Sequence, residues 1–115
     1  MKPSLPGTTI TKAEQQASLF RVFSNSNRLL ILWLLEEKER TFPEIELALG
    51  LTQYGTSHHI RILELHKFIY SRREKEIVYY DLVDRESLLN CRIFANKPEI
   101  MLTEVNLITF NKVES

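Results

Sequence analysis

A chain of 115 residues with 43% hydrophobic content can form one domain with a core, and no run approaches the ~18 apolar residues of a membrane-spanning helix. The formal net charge is zero, which excludes a polycation held to nucleic acid by bulk charge, so any affinity for an anionic partner must come from how charge is distributed. The single cysteine, Cys91, excludes an intrachain disulfide and a zinc site built from one chain's cysteines; with no apolar signal core at the N-terminus, a soluble cytoplasmic protein is expected.

Met1 to Ile10 contains two prolines and a glycine and reads as a flexible arm. Thr11-Lys-Ala-Glu14 has the form of a capping box, predicting a first helix from Thr11 to about Phe23. Ala13, Ala17 and Phe20, with Leu19 and Phe23, give that helix an apolar face. Ser24-Asn-Ser-Asn27 ends it. Leu29, Leu30, Leu32, Trp33 and Leu34 then surround a second helix on nearly every side, which predicts the buried centre of the domain. Thr41-Phe-Pro-Glu44 is another capping box, with proline in the first turn, and opens a short third helix through Leu49.

Gly50 stops that helix and Thr52 caps the next, so two helices meet through a short corner of the helix-turn-helix kind. The fourth helix is expected from Gln53 to about Lys67. Thr56, Ile60, Leu63 and Lys67 recur at three- and four-residue steps and form one stripe. Gln53, Tyr54, Ser57, His58 and Arg61 form another. If the first stripe packs inward, the second projects polar side chains from a helix N-terminus whose free N–H groups and dipole favour an anionic ligand. Gly55 costs about 1 kcal/mol of helix propensity against alanine, which points to a close backbone approach to DNA or to a neighbouring helix.

Phe68 to Glu74 and Glu76 to Val83 are rich in β-branched and aromatic residues and predict a two-stranded hairpin, with Val78, Tyr80 and Leu82 on one face and Ile77, Tyr79 and Asp81 on the other. The charged tip holds no glycine, which favours a loop longer than two residues. Asp84-Arg-Glu-Ser87 then caps a fifth helix carrying Leu88, Leu89, Ile93 and Phe94, and Pro98 interrupts the chain beyond it. Residues 99–110 are apolar enough to pack but fit neither the helical nor the strand period.

The charge is segregated. Residues 53–75 hold Arg61, Lys67, Arg72, Arg73 and Lys75 against Glu64 and Glu74, whereas residues 36–46 hold five glutamates against Lys38 and Arg40. Basic residues therefore gather at the fourth helix and the hairpin, and the expected partner is double-stranded DNA. Gln53, Tyr54, Ser57, His58, Arg61, Arg72, Arg73 and Lys75 are the expected contacts, the helix residues reading bases or phosphates and the hairpin tip reaching the sugar-phosphate backbone or minor groove. A protein-interaction module without specific DNA binding is the alternative, kept open by the neutral net charge.

No catalytic constellation is present: there is no phosphate-cradling glycine loop and no nucleophile beside a base in a recognised motif, so an enzyme is not expected. No metal site or cofactor is expected either, because His58 and His59 point about 100° apart on a helix and no acidic or thiol partner stands at ligand spacing. His59 lies nearer the inward stripe and reads as a hydrogen-bonded core histidine, and His66 as an electrostatic cap at the helix C-terminus. Cys91, among apolar residues, reads as a small buried hydrophobe, with a redox thiol as the alternative.

The order of four helices, hairpin and helix is that of a winged helix-turn-helix, mostly α with a small β-hairpin (α+β), with about five helices and a two-stranded wing. The residues that carry a closer resemblance are Ser26-Asn27-Arg28-Leu29-Leu30-Ile31-Leu32, Glu44-Ile45 through Leu49-Gly50-Leu51-Thr52-Gln53, Ser57-His58-His59-Ile60 with Leu63, and Arg72-Arg73-Glu74 with Val78-Tyr79-Tyr80. Over roughly residues 13–83 the chain resembles the ArsR/SmtB family of small transcriptional repressors. The resemblance implies a homodimer joined through its first and last helices, bound to an imperfect palindromic operator and released by an inducer. Ala13, Ala17, Phe20, Leu88, Leu89 and Ile93 are the residues expected at that interface. On this reading residues 1–10 are the arm, 11–97 the DNA-binding and dimerisation domain, and 98–115 a C-terminal extension packing on the domain or the dimer interface. The metal sensors of the family carry a cysteine-containing motif at the third helix and Asp and His ligands on the last helix. Here Thr41-Phe-Pro-Glu44 and Asp84-Arg-Glu-Ser-Leu-Leu-Asn-Cys91 stand in those places, which implies a non-metal or unknown effector. Tyr54 and Gly55 also replace the usual small residues near the start of the reading helix, so the operator sequence does not carry over.

Overall fold

The computed structural model describes residue 2, residues 4–94 apart from the side chain of residue 93, and residues 97–98. In chain order the elements are α1 (Gly7–Phe23), α2 (Ser26–Glu37), β1 (Arg40–Thr41), α3 (Phe42–Leu49), α4 (Gln53–Leu65), β2 (Ile69–Glu74), β3 (Ile77–Leu82) and α5 (Arg85–Leu89), followed by a 3₁₀ turn at Arg92–Phe94. The extension expected over residues 98–115 lies, beyond residue 98, outside the described residues. Among the described residues no helix is long and apolar enough to cross a membrane.

Helix α1 starts four residues before the expected Thr11. The Pro6 carbonyl accepts from the Thr9 and Ile10 amides at 3.1 and 3.2 Å, so the first turn closes on a backbone acceptor without a side-chain cap. Thr11 and Glu14 lie inside the helix, where the proposed capping box has no orphan amides to serve, and Thr8 to Ile10 are helical rather than part of an arm. Helix α2 is capped by Asn25, whose side chain accepts from the Asn27 and Arg28 amides. It buries Ile31, Leu32, Leu34 and Leu35 and so is the expected centre of the core, although Leu30 reaches solvent. The capping box at Thr41 forms as expected: the Thr41 hydroxyl accepts from the Glu44 amide and Glu44 Oε1 accepts from the Thr41 amide. Gly50 ends α3 with φ 67° in the left-handed region.

Around α2 the core gathers Val22 from α1, Ile45 from α3, Ile60 and Leu63 from α4, Ile69 from β2, Leu82 from β3, Leu88 from α5 and Phe94. Each such side chain contributes about 1.5–3 kcal/mol of burial. Leu82 is buried and Tyr80 packs on the core, as the alternation in β3 predicts, and Ile77 is exposed.

The hairpin departs from expectation in two ways. The wing belongs to a three-stranded antiparallel sheet of order β1-β3-β2, because Arg40 and Thr41 pair with Tyr80 and Tyr79. A two-residue strand leaves no periodic signal in a sequence. The tip is also a tight turn: Glu74 pairs with Ile77 and only Lys75 and Glu76 lie between them, with Lys75 taking φ 58° in place of glycine. Arg40 is 2% exposed, with Nη2 3.2 Å from Glu37 Oε1 and Nη1 3.7 Å from Glu44 Oε2. The third helix is thereby tied to α2 by charge as well as by packing.

Helix α4 ends at Leu65 rather than Lys67, and Lys67 faces solvent instead of continuing the inward stripe. The Phe68 amide bonds the Leu63 carbonyl at 3.0 Å and the Lys67 amide the Glu64 carbonyl at 2.9 Å, a Schellman ending that puts Lys67 at φ 61°. The fifth helix spans only Arg85–Leu89, capped by Asp84 Oδ1 accepting from the Ser87 amide at 3.1 Å. The 3₁₀ turn after it carries Phe94 into the core. Cys91 is half-buried and free rather than fully enclosed.

The left-handed strain at Lys67 exceeds the chain entropy that glycine would add to the unfolded state, so Lys67→Gly is expected to stabilise the fold by about 0.5–1 kcal/mol. Urea unfolding of the two proteins checks it; equal or lower stability of the variant would show that the turn is not strained.

Candidate nucleic-acid interface

The start of α4 is held from both sides of its cap. Thr52 Oγ1 accepts from the Gly55 amide at 3.1 Å, and the fully buried Thr56 donates its hydroxyl to the Thr52 carbonyl at 2.9 Å. A Cβ on Gly55 would stand 3.3 Å from Thr52 Oγ1 and 3.8 Å from Leu51 Cβ, so the close approach that Gly55 allows is to the corner preceding its own helix. With Thr56, Ile60 and Leu63 buried, the helical period turns the other stripe outward. Gln53, Tyr54, Ser57, His58 and Arg61 are all exposed, Tyr54 to 82%. Tyr54, Ser57, His58 and Arg61 line one shallow concavity of about 90 Å³, to which Gln53 does not contribute. A phenol, a hydroxyl, an imidazole and a guanidinium make a surface of donors and neutral acceptors without a carboxylate, a set suited to base edges and phosphate oxygens.

Behind this surface His59 is half-buried, and its Nδ1 lies 3.4 Å from Arg28 Nη1. A guanidinium only donates, so Nδ1 accepts and the ring is neutral. Burial first, then the Arg28 charge and the neighbouring His58, push the His59 pKa below its ordinary 6.5. Arg28 also donates from Nε to the Val22 carbonyl at 2.8 Å and from Nη2 to the Arg21 carbonyl at 3.4 Å. One side chain thus joins the C-terminal end of α1 to α2 and α4. His66 is the C-cap residue of α4, with Nδ1 3.0 Å from the Ile62 carbonyl.

On the wing the three expected cations separate. Arg73 and Lys75 are exposed and make no ion pair among the described residues. Arg72 is half-buried and paired: its Nε and Nη2 donate to Glu39 Oε2 and Oε1 at 2.9 and 2.5 Å, its Nη1 donates to Glu74 Oε2 at 2.9 Å, and its guanidinium carbon lies 4.5 Å from the centre of the Tyr79 ring. Hydrogen bonds from Arg72 hold the Glu39 carboxyl below its ordinary pKa and, reciprocally, raise that of Arg72. Glu39 and Arg28 are functional or structural partners that the sequence alone does not reveal. Their contacts span 33 residues in the case of Glu39 and Arg72 and 31 for Arg28 and His59, separations with no local signature.

Of the residues expected at a dimer interface, Ala13, Ala17, Phe20 and Leu89 are exposed, Phe20 to 63%. Leu88 instead lies in the core beside Phe94, because the short α5 turns that face inward, and the Ile93 side chain lies outside the described residues. Among the described residues, no three His, Cys, Asp or Glu side chains are grouped to hold a metal ion.

The sequence profile of the bacterial regulatory proteins of the arsR family matches residues 25–69, from the cap of α2 through the corner and α4 into β2. This stretch is similar to the helix-turn-helix domain of that family. The chain is 31% identical over 80 residues to the nodulation protein NolR of Rhizobium meliloti, a match covering 70% of this chain and 65% of the relative. It is 28% identical over 76 residues to a transcriptional repressor SmtB homolog of a Synechocystis species, covering 66% of this chain and 58% of the relative. The matches thus span less than two thirds of either relative's length. The crystal structure of NolR from Sinorhizobium fredii superposes with a TM-score of 0.68 at 27% identity, covering 77% of this chain and 90% of that one, and the fold is accordingly the winged helix of ArsR-like proteins.

Because the folded-state pKa of His59 lies below its unfolded value, the unfolded chain takes up the proton first as pH falls. Stability contributed by neutral His59 is therefore present above the unfolded value of 6.5 and declines as pH drops through it toward the folded value. Chemical unfolding between pH 5 and 8 is expected to show a decline in wild type that His59→Gln lacks; parallel curves would mean that His59 does not carry the dependence.

Proposed function

We propose that this chain is a sequence-specific, DNA-binding transcriptional regulator of the cytoplasm that acts as a homodimeric repressor with a non-metal or unknown effector. The observation that carries the reading is the division of α4: Thr56, Ile60 and Leu63 are sealed in the core, while Tyr54, Ser57, His58 and Arg61 share one exposed, carboxylate-free surface. Inserted in a major groove, that row offers donors and acceptors to base edges, and the N-terminal end of α4 offers its dipole to phosphate. Arg73 and Lys75 supply the sequence-independent contacts of the wing. The family of the matched domain and the named relatives support a regulator over a protein-interaction module.

Homodimer formation is supported by α1, of whose residues only Val22 is buried and whose Ala13, Ala17 and Phe20 face solvent in the single chain. An apolar helix face of this kind is stabilised when a second copy covers it, and two copies would place two α4 helices on successive turns of a palindrome.

Arg73→Ala and Lys75→Ala are each expected to weaken binding to all duplex sequences alike and to flatten the dependence of log K on log salt by about 0.9 for each phosphate no longer neutralised, measured by fluorescence anisotropy. An unchanged slope would remove the wing tip from the interface. Phe20→Asp combined with Leu89→Asp is expected to give monomers that bind a palindrome far more weakly than wild type. Sedimentation equilibrium is the check, and a monomeric wild type at micromolar concentration would contradict the dimer.

A further inference from the structure

Arg72 has the position of a phosphate-contacting wing residue but not the freedom. All three of its guanidinium nitrogens are engaged by carboxylate oxygens, Nε and Nη2 by Glu39 and Nη1 by Glu74, and Tyr79 lies against one face. The two carboxylates differ in origin. Glu74 is on the same strand, two residues away, and moves with the wing, whereas Glu39 comes from the segment between α2 and β1 and grips the fork in a bidentate pair. One guanidinium against two carboxylates leaves this part of the wing net negative, beside the open cations Arg73 and Lys75. A DNA phosphate can take the bidentate Nε–Nη2 edge of Arg72 only by displacing Glu39, and the paired geometry of that edge opposes the exchange.

We propose that Glu39 is a positioning residue that withholds Arg72 from DNA phosphate and so caps the sequence-independent affinity of the wing. The inference rests on the DNA-binding reading above. A lower non-specific affinity improves the ratio by which a regulator distinguishes its operator from the excess of other sites, so a masked cation serves discrimination. The pair also anchors β2 to the body of the domain, and a purely structural staple would share that effect. The salt dependence of binding separates the two roles, because it counts phosphates neutralised and not strands held.

The test measures binding of wild type, Glu39→Gln, Arg72→Gln and the double variant to a mixed-sequence duplex between roughly 50 and 200 mM salt. Arg72→Gln alone is expected to leave the wild-type slope unchanged, because Arg72 contributes no phosphate contact while Glu39 holds it. Glu39→Gln is expected to bind more tightly with a slope about 0.9 steeper, so that its advantage over wild type shrinks about 3.5-fold across this range. The double variant is expected to match Arg72→Gln. The proposal is overturned by an unchanged or shallower slope for Glu39→Gln, by an equal gain in the absence of Arg72, or by a slope that Arg72→Gln flattens on its own. If wild type binds no duplex even at the lowest salt, the DNA-binding reading itself has failed, a result distinct from wild-type binding with any of those slopes.

Discussion

The burial of Thr56, Ile60 and Leu63 against α2 is the constraint on which the rest depends. A helix turns about 100° per residue, so fixing three positions inward at steps of four and three leaves no choice about which side chains face out. Tyr54, Ser57, His58 and Arg61 are presented because their neighbours are consumed by the core. The corner before α4 serves the same end: Gly50 reverses the chain in the left-handed region, Thr52 caps by accepting from the Gly55 amide at 3.1 Å, and Gly55 places no Cβ against that cap. Orientation of the outward row is thereby set by packing on a rigid element, which is what a surface that reads base edges requires.

Charge then acts on a scale finer than the net value of zero suggests. The exposed row on α4 is free of carboxylates, the tip of the wing carries open cations, and the base of the wing carries a guanidinium held by two glutamates. Arg40 and Arg28 are engaged internally, the first against Glu37 and Glu44, the second on backbone carbonyls and His59. Arginines in this chain thus divide between those that build the domain and those that remain available to an anionic partner, and only their partners in space tell them apart.

Much of this is legible in the residues because the relevant physics is local. Capping at Thr41, the left-handed stop at Gly50, the cap at Thr52 and the two stripes of α4 all follow from spacings of three or four residues, and each is present in the fold. The failures share a cause as well. Thr11-Lys-Ala-Glu14 matches a capping box, but the Pro6 carbonyl has already started the helix. Lys67 and Lys75 occupy left-handed positions where glycine would be expected, because closure of the Schellman turn and pairing of the strands outweigh a strain of about 1–2 kcal/mol each. The β1 strand, the burial of Leu88 and the capture of Arg72 by Glu39 depend on contacts distant in sequence, which no local pattern encodes.

The claim that the outward row of α4 sets sequence preference is tested most directly by selecting bound sites from a randomised duplex library, once with wild type and once with Tyr54, Ser57 and His58 all replaced by alanine. The account predicts a two-fold symmetric consensus for wild type that is abolished or altered at defined positions in the variant. The same consensus from both proteins, or none from wild type, would contradict it.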